Sequence, residues 1–263
     1  MRWIVRLVCT LLFLCVAPWA LAQPAGGHAH NDYEHARPLH DALEHGFTSV
    51  EADIWLRDGK LLIGHDAADL DPDLTLESLY LEPLRAAAAS VTTAAPLTLL
   101  IDIKTDGEAT YAALEDVLGG YADMLARVED GRLVPDRVMA IVSGNRPEAT
   151  MAAETLRYAF YDGRISDLDS GTSANFMPLV SDNWSKHFSW TGAGNMPSDE
   201  LAKLTGIVAR AHGQGHALRF WATPDQPGPE REALWRTLSE AGVDLINTDD
   251  LAGFAAFAAK QSE

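Results

Sequence analysis

Eight short apolar runs, each followed by a polar loop, limit what this chain can fold into more than any other feature. They are Gly27–His30, Thr48–Ile54, Leu97–Ile103, Arg137–Val142, Arg157–Tyr161, Met177–Val180, Ala217–Trp221 and Asp244–Asn247. Such runs, apolar and β-branched and bounded by turn-forming residues, read as buried strands. Helical patterns separate most of them: Pro38–His45, Ala109–Val128, Pro147–Leu156, Ser198–Gln214 and Pro229–Ala241. Strands alternating with helices make a parallel sheet, and eight of them favour closure over an open sheet. The expectation is an α/β fold, a single (β/α)8 TIM-type barrel.

Polar residues collect directly after the runs: His30-Asn31-Asp32, Lys104-Thr105-Asp106, Ser143-Gly144-Asn145-Arg146, Asp162-Gly163-Arg164, Asp182-Asn183-Trp184 and Thr248-Asp249-Asp250. In a barrel of this kind those positions face one mouth, where active sites are built. Turn and cap chemistry explains any one such loop. Six in the same relative place ask for more.

Residues 1–22 stand apart from this pattern. Arg2 and Arg6 precede an apolar core from Leu7 to Val16, and Ala20-Leu21-Ala22 has the small-x-small order of a cleavage site. The apolar stretch is short for a membrane span, and Pro18 breaks it. Leu14 stands before Cys15 where a lipid-modified leader carries a small residue, which favours simple cleavage after Ala22. We therefore expect a signal peptide over 1–22, one barrel domain over 23–263, and a secreted or periplasmic protein without stable membrane insertion. Cys9 and Cys15 are the only cysteines, so residues 23–263 contain no thiol and no disulfide. A domain of this size has core enough without such staples.

The formal charge of −18 becomes −20 once Arg2 and Arg6 leave with the leader. A surface this acidic repels polyanions, which excludes nucleic acid as a natural partner. Part of the acid is placed for a cation. In Glu51-Ala52-Asp53, alternate residues of a strand project to the same side, so both carboxylates point together. Asp102 and Lys104 share a side of the next run in the same way. Three carboxylates that converge stay ionised together only with positive charge between them, and a hard divalent cation, Mg²⁺ or Ca²⁺, prefers such oxygen donors. Lys104 then supplies a point charge for a substrate anion. Taken singly, each pair reads equally well as an ion pair at a strand end. Histidine separates the two readings. His28 and His30 end the first run, and His65 follows Leu61-Leu62-Ile63-Gly64 beyond a hairpin turn at Asp58-Gly59. One imidazole from each place gives a general acid and a general base around a metal-bound phosphate. Asn31, Asn145 and Trp221 are candidates for substrate contact, whereas His35, His40 and His45 read as surface residues.

At this point the chain resembles a known family. His28-Ala29-His30-Asn31-Asp32-Tyr33, then Gly46-Phe47-Thr48-Ser49-Val50-Glu51-Ala52-Asp53, then Asp58-Gly59-Lys60-Leu61-Leu62-Ile63-Gly64-His65-Asp66 are similar to motifs of the glycerophosphodiester phosphodiesterase-like branch of the phosphatidylinositol phospholipase C-type barrels. Gly242-Val243-Asp244-Leu245-Ile246-Asn247-Thr248-Asp249 is similar to the last strand of that family. Within it, the chain resembles the group that includes the yeast altered-inheritance-of-mitochondria protein 6. The resemblance implies a phosphoric diester hydrolase using one divalent cation on Glu51, Asp53 and Asp102. It implies two catalytic histidines, His28 or His30 from the first strand together with His65, with Lys104 close to the phosphate. The chain lacks the His-Arg-Gly and Glu-Asn-Thr usual near the first strand of glycerophosphodiesterases. It also has Asp102-x-Lys104, as in sphingomyelinase D-like enzymes, in place of Glu-x-Lys.

The expected substrate is a small-molecule or lipid phosphodiester. One histidine takes a proton from a neighbouring hydroxyl of the substrate and the other protonates the leaving alkoxide, with a cyclic phosphate as first product. A different chemistry also starts from His-x-His: zinc amidohydrolase-type barrels begin in this way. That reading needs further histidines at later strand ends, and the available ones are His187, His212 and His216. A third reading is a barrel that binds a ligand without turning it over, for which Trp184, Trp190 and Trp221 offer aromatic lining.

Overall fold

The computed structural model describes residues 25–88 and 96–261; the expected leader at 1–22 lies outside the described residues. Eight parallel strands, numbered here β1 to β8, form the barrel: β1 Gly26–Ala29, β2 Ser49–Arg57, β3 Leu97–Ile103, β4 Val138–Gly144, β5 Ala159–Gly163, β6 Leu179–Asn183, β7 Ala217–Trp221 and β8 Leu245–Thr248. Each pairs with the next, and β1 pairs with both β8 and β2, so the sheet closes on itself. The eight-stranded barrel expected from the runs is present, with boundaries within three residues at most strand ends.

Alternation along the strands sorts the residues into two environments. Val50, Ala52 and Ile54 of β2, with Leu99, Ile101 and Ile103 of β3, belong to the large core that also contains the buried faces of the helices. A separate small cluster of Leu100, Ile141, Phe160 and Leu179 lies with Ala126 and Val128. Two residues further along those four strands stand Asp102, Ser143, Asp162 and Ser181. Since two residues along a strand return to the same side, the barrel interior changes from apolar to polar on going towards the C-terminal ends. The site is built at that transition.

Local sequence accounts for three departures from the simple pattern. The helix expected over Ala109–Val128 is Gly107–Gly119, because Gly119-Gly120 stops it. The chain then forms a hairpin of Arg127–Glu129 with Arg132–Val134, joined by Leu156–Arg157 in a small three-stranded sheet. That small sheet takes Arg157 and leaves the barrel strand to begin at Ala159. Between β5 and β6 there is only a short 3-10 turn, Ile165–Asp167, in a segment crowded with Ser, Asp, Asn and Gly that favours turns over helix.

Candidate active site

Strand β2 continues into the expected hairpin. Asp58 (φ 49°) and Gly59 (φ 77°) both take left-handed conformations, the combination of a type I′ turn that matches strand twist. The returning strand Lys60–Ile63 pairs antiparallel with Ile54–Arg57. It carries His65 back to Asp53, with His65 Nδ1 at 3.1 Å from Asp53 Oδ2. The hairpin therefore brings a histidine twelve residues downstream beside a carboxylate of its own strand. His30 follows β1 and donates its backbone N–H to Thr248 of β8. Its Nδ1 lies 2.8 Å from Asp249 Oδ1.

Parallel register places Asp53 of β2 opposite Asp102 of β3. One carboxylate oxygen from each of Glu51, Asp53 and Asp102 lies within 4.8 Å of the other two. Lys104 Nζ stands 2.9 Å from Asp53 Oδ2 and 3.5 Å from Asp102 Oδ1. A cavity of about 350 Å³ opens above them, and His30, Asn31, Glu51, His65, Asp102, Lys104 and Trp221 all line it. The candidates from five separate stretches of sequence thus meet at one mouth.

Two candidates are placed elsewhere. His28 is fully buried beneath the cavity, between Ser49 Oγ (2.7 Å) and Glu51 Oε2 (2.9 Å). Burial and the facing Arg219 charge pull its imidazole down to about 3, against the pull of Glu51. The ring is neutral, so Nε2–H donates to Glu51 and Nδ1 accepts from Ser49. Of the two first-strand histidines, only His30 reaches the cavity. Asn145 lines an adjoining groove with Thr105, Asp106 and Arg146, its amide donating to the Thr105 carbonyl at 2.9 Å.

The three carboxylates differ in how they carry charge. Burial would raise Glu51, but the Arg219 guanidinium at 2.8 Å and the His28 hydrogen bond hold it far below the usual carboxylate range. Asp53 is pushed up by burial and by the charge of Glu51, more than Lys104 and Tyr33 pull it down. Asp102 rises to about 6 through burial, with Asp53 and Glu51 adding to the rise and Lys104 opposing it. Arg219 compensates Glu51, while Asp53 and Asp102 share the single charge of Lys104. Lys104 itself loses ground to burial but gains more from Asp102 and Asp53, and is raised. Burial also lowers His30, yet the Asp249 hydrogen bond and the Glu51 charge outweigh it, so the net shift is upward.

A divalent cation fits these residues. Asp53 is completely buried and its Oδ1 has no hydrogen-bond partner among the described residues. A buried carboxylate oxygen left unpaired costs about 1–3 kcal/mol or more, a cost that a bound cation removes. Gly144 (φ 68°) packs against Asp102, and a Cβ there would overlap Asp102 Oδ1, so the glycine keeps that oxygen in place. Three hard oxygen donors and no sulfur suit Mg²⁺ or Ca²⁺. Among the described residues, zinc chemistry finds no such set. His212 pairs with Asp244 and His216 with the Met177 carbonyl, both ahead of β7 and β8 and so at the opposite end of the barrel. His187 pairs with Asp182. Glu51, Asp53 and Asp102 are the one group of three metal-ligating side chains among the described residues.

Four contributors escaped the reading of the sequence. Arg219, which holds Glu51 and Asn247, lies inside an apolar run. Asp249 belongs to a loop already marked as polar, but its pairing with His30 spans 219 positions. Tyr33, in the quoted His-Asn-Asp-Tyr stretch, places its hydroxyl 2.8 Å from Asp53 Oδ2. Arg164 lines the far wall, bound to Asp162 at 2.7 Å and to Ser143 at 3.3 Å. The position after a strand was the signal available for Asp249 and Arg164. For Arg219 there was none.

Comparison with known proteins agrees with this architecture. Residues 20–94 match the AIM6-like phosphodiesterase domain, and residues 217–252 match the glycerophosphoryl diester phosphodiesterase family. The altered inheritance of mitochondria protein 6 of Eremothecium gossypii is 33% identical over 270 residues, covering 88% of this chain and 68% of that protein. Its homolog in Arthroderma benhamiae is 30% identical over 263 residues, covering 87% and 82%. Among solved structures, a Ca²⁺-dependent phosphatidylinositol-specific phospholipase C from Streptomyces antibioticus superposes with a TM-score of 0.61 at 14% identity, covering 90% of this chain and 96% of that one. A glycerophosphodiester phosphodiesterase from Parabacteroides distasonis superposes with a TM-score of 0.57 at 13% identity, covering 91% and 99%. At such identities the structures speak for the fold, a barrel shared with phosphodiesterases. The chain belongs to the altered inheritance of mitochondria protein 6 family.

Proposed function

We propose that the chain is a divalent-cation-dependent phosphodiesterase, acting on a small-molecule or lipid phosphodiester at the mouth of the barrel. The observation that carries this reading is the meeting of Glu51, Asp102, Lys104, His30 and His65 around one cavity, with buried Asp53 clustered against Glu51 and Asp102. The family match to a phosphodiesterase domain and the Ca²⁺ dependence named for the Streptomyces antibioticus enzyme support it.

Glu51, Asp53 and Asp102 would hold the divalent cation, which would supply Lewis-acid stabilisation of the charge that develops on the phosphate. His30 and His65 are the proton-transfer pair. Each has Nδ1 engaged by a carboxylate, Asp249 for His30 and Asp53 for His65, which leaves Nε2 as the working nitrogen. One Nε2 removes the proton from a hydroxyl of the substrate; that oxygen attacks phosphorus, the bond to the leaving oxygen breaks, and the other imidazole delivers a proton to it. Intramolecular attack gives a cyclic phosphate. Lys104, fixed between Asp53 and Asp102, holds positive charge beside the phosphate. Asn31 and Trp221 line the space left for the alcohol halves. Export belongs to the same proposal, on the strength of the leader order in residues 1–22.

The test is cleavage of a panel of glycerophosphodiesters, each with a hydroxyl next to the phosphate, by the purified chain, with and without chelator. Chelation is expected to abolish turnover, and added Mg²⁺ or Ca²⁺ to restore it. Turnover that continues unchanged in excess chelator would remove the cation from the reaction.

A further inference from the structure

The His30-Asn31-Asp32-Tyr33 stretch ends in a tyrosine to which the catalytic reading assigns nothing. Asp53, the residue it touches, treats its two oxygens very differently. Oδ2 is contacted by three protein groups: the Tyr33 hydroxyl at 2.8 Å, Lys104 Nζ at 2.9 Å and His65 Nδ1 at 3.1 Å. Oδ1 is buried and has no partner among the described residues. A carboxylate free to rotate would not keep its oxygens so distinct. We propose that Tyr33 is a positioning residue that pins Asp53 Oδ2 and thereby turns Oδ1 to the cation and seats His65. This rests on the metal-site reading given above and adds to it the residue that orients its most buried ligand.

The loop is built to hold the hydroxyl in place. Asn31 takes a left-handed conformation (φ 46°, ψ 42°), and its Oδ1 lies 3.0 Å from the Tyr33 hydroxyl as a second acceptor for it. Asp32 is fully buried; its Oδ2 accepts from the Leu39 N–H and from the Tyr80 hydroxyl at 3.0 Å, which ties the short 3-10 turn Asp32–Glu34 to the body of the barrel. The tyrosine hydroxyl lies 3.4 Å from His65 Nδ1 as well. A hydroxyl supplies one hydrogen, and a carboxylate is its strongest acceptor here. Within one stretch, then, His30 faces substrate, Asn31 and Asp32 hold the loop, and Tyr33 acts through Asp53.

The experiment is calorimetric titration of the metal-free chain with MgCl₂ and with CaCl₂, wild type against Tyr33→Phe, beside circular dichroism, thermal unfolding and steady-state kinetics. Tyr33→Phe keeps the ring and removes only the hydrogen bond. It is expected to fold as wild type, to bind the better cation about 10-fold more weakly, as groups that orient metal ligands generally do, and to lose kcat while KM holds. Equal cation affinity in the two proteins overturns the proposal and leaves the metal site standing. Lower thermal stability with unchanged affinity does the same, since it reduces Tyr33 to a structural residue. A wild type that binds neither cation overturns both the metal site and this proposal. Should Tyr33→Phe not fold, Tyr33→Met removes the same hydroxyl with an adaptable apolar side chain; the same direction of affinity loss is then expected, and no loss overturns the assignment.

Discussion

Asp102 and His65 separate the two tasks of the proposed site, cation binding and proton transfer. Asp102 is raised to about 6 by burial and by its two acidic neighbours, so in the metal-free protein its charge is a source of strain. Asp102→Asn is nearly isosteric and removes that charge. It is expected to leave the fold intact, raise the melting temperature of the metal-free protein, and abolish measurable cation binding by calorimetry. His65→Ala leaves in place the two nearer contacts to Asp53 Oδ2, from the Tyr33 hydroxyl at 2.8 Å and Lys104 Nζ at 2.9 Å. It is expected to keep cation affinity close to wild type and slow turnover of an alkyl diester by roughly 10²–10⁴-fold. If His65 is the acid, p-nitrophenyl leaving groups, which need little protonation, suffer much less. Kinetics on both substrate types read the difference, and equal activity of wild type and His65→Ala on the alkyl diester would take His65 out of the mechanism.

The helix Gly107–Gly119 shows how an element that frames the mouth is itself tuned. Asp106 caps it by accepting from the Ala109 N–H at 2.9 Å, and Tyr111, Leu114 and Leu118 bury its inner face. Glu115 sits on the edge of that face. The Tyr111 hydroxyl lies 3.0 Å from Glu115 and 2.7 Å from Glu154, with one hydrogen for two carboxylates. Burial first, and then the charge of Glu154, push Glu115 up to about 7. A carboxyl raised on folding binds more protons in the native than in the unfolded state. Its contribution is therefore fully favourable below the ordinary glutamate range and is lost as pH rises to about 7. Glu115→Gln removes the penalty of ionisation. Urea unfolding at pH 8 is expected to show the variant more stable by about 1–3 kcal/mol, with the difference gone near pH 5. A difference of the same size at both values of pH would mean that packing, not charge, is responsible.

For the molecule as a whole, closure of the sheet converts eight separate loops into one site. His30 and Asp249 are 219 positions apart, yet meet because β1 and β8 pair. Glu51 and Arg219 meet across the barrel interior from β2 and β7. Although the full chain has a formal charge of −18, the proposed anionic phosphodiester would meet positive charge at the cavity, which Lys104, Arg164 and Arg219 line. The export proposal is also a property of the whole chain. N-terminal sequencing of protein recovered from periplasm or medium is expected to begin near Gln23; protein that retains Met1 in a membrane fraction would make the leader an anchor instead.

Periodicity and local chemistry determined the barrel. The spacing of the eight runs, the glycines that stop the helix at 119–120, and Asp58-Gly59 at the hairpin are short-range signals, legible because strand and turn propensities act within a few residues. The same reach put Glu51 with Asp53 and Asp102 with Lys104, since alternation along one strand is enough to orient each pair. The helix extended to Val128 failed for the converse reason: its last residues are claimed by a small sheet whose partner strand, Leu156–Arg157, lies far ahead in sequence. Tertiary structure alone decided between His28 and His30. Both end the same run two residues apart, but His28 lies within the paired strand and faces inward beneath Glu51, whereas His30, just past the last paired residue, turns into the mouth. Asn145 left the cavity, and Arg219, Asp249 and Tyr33 entered the site, by the same rule. Which side chains share a cavity depends on register between strands distant in sequence, and no local pattern encodes that register.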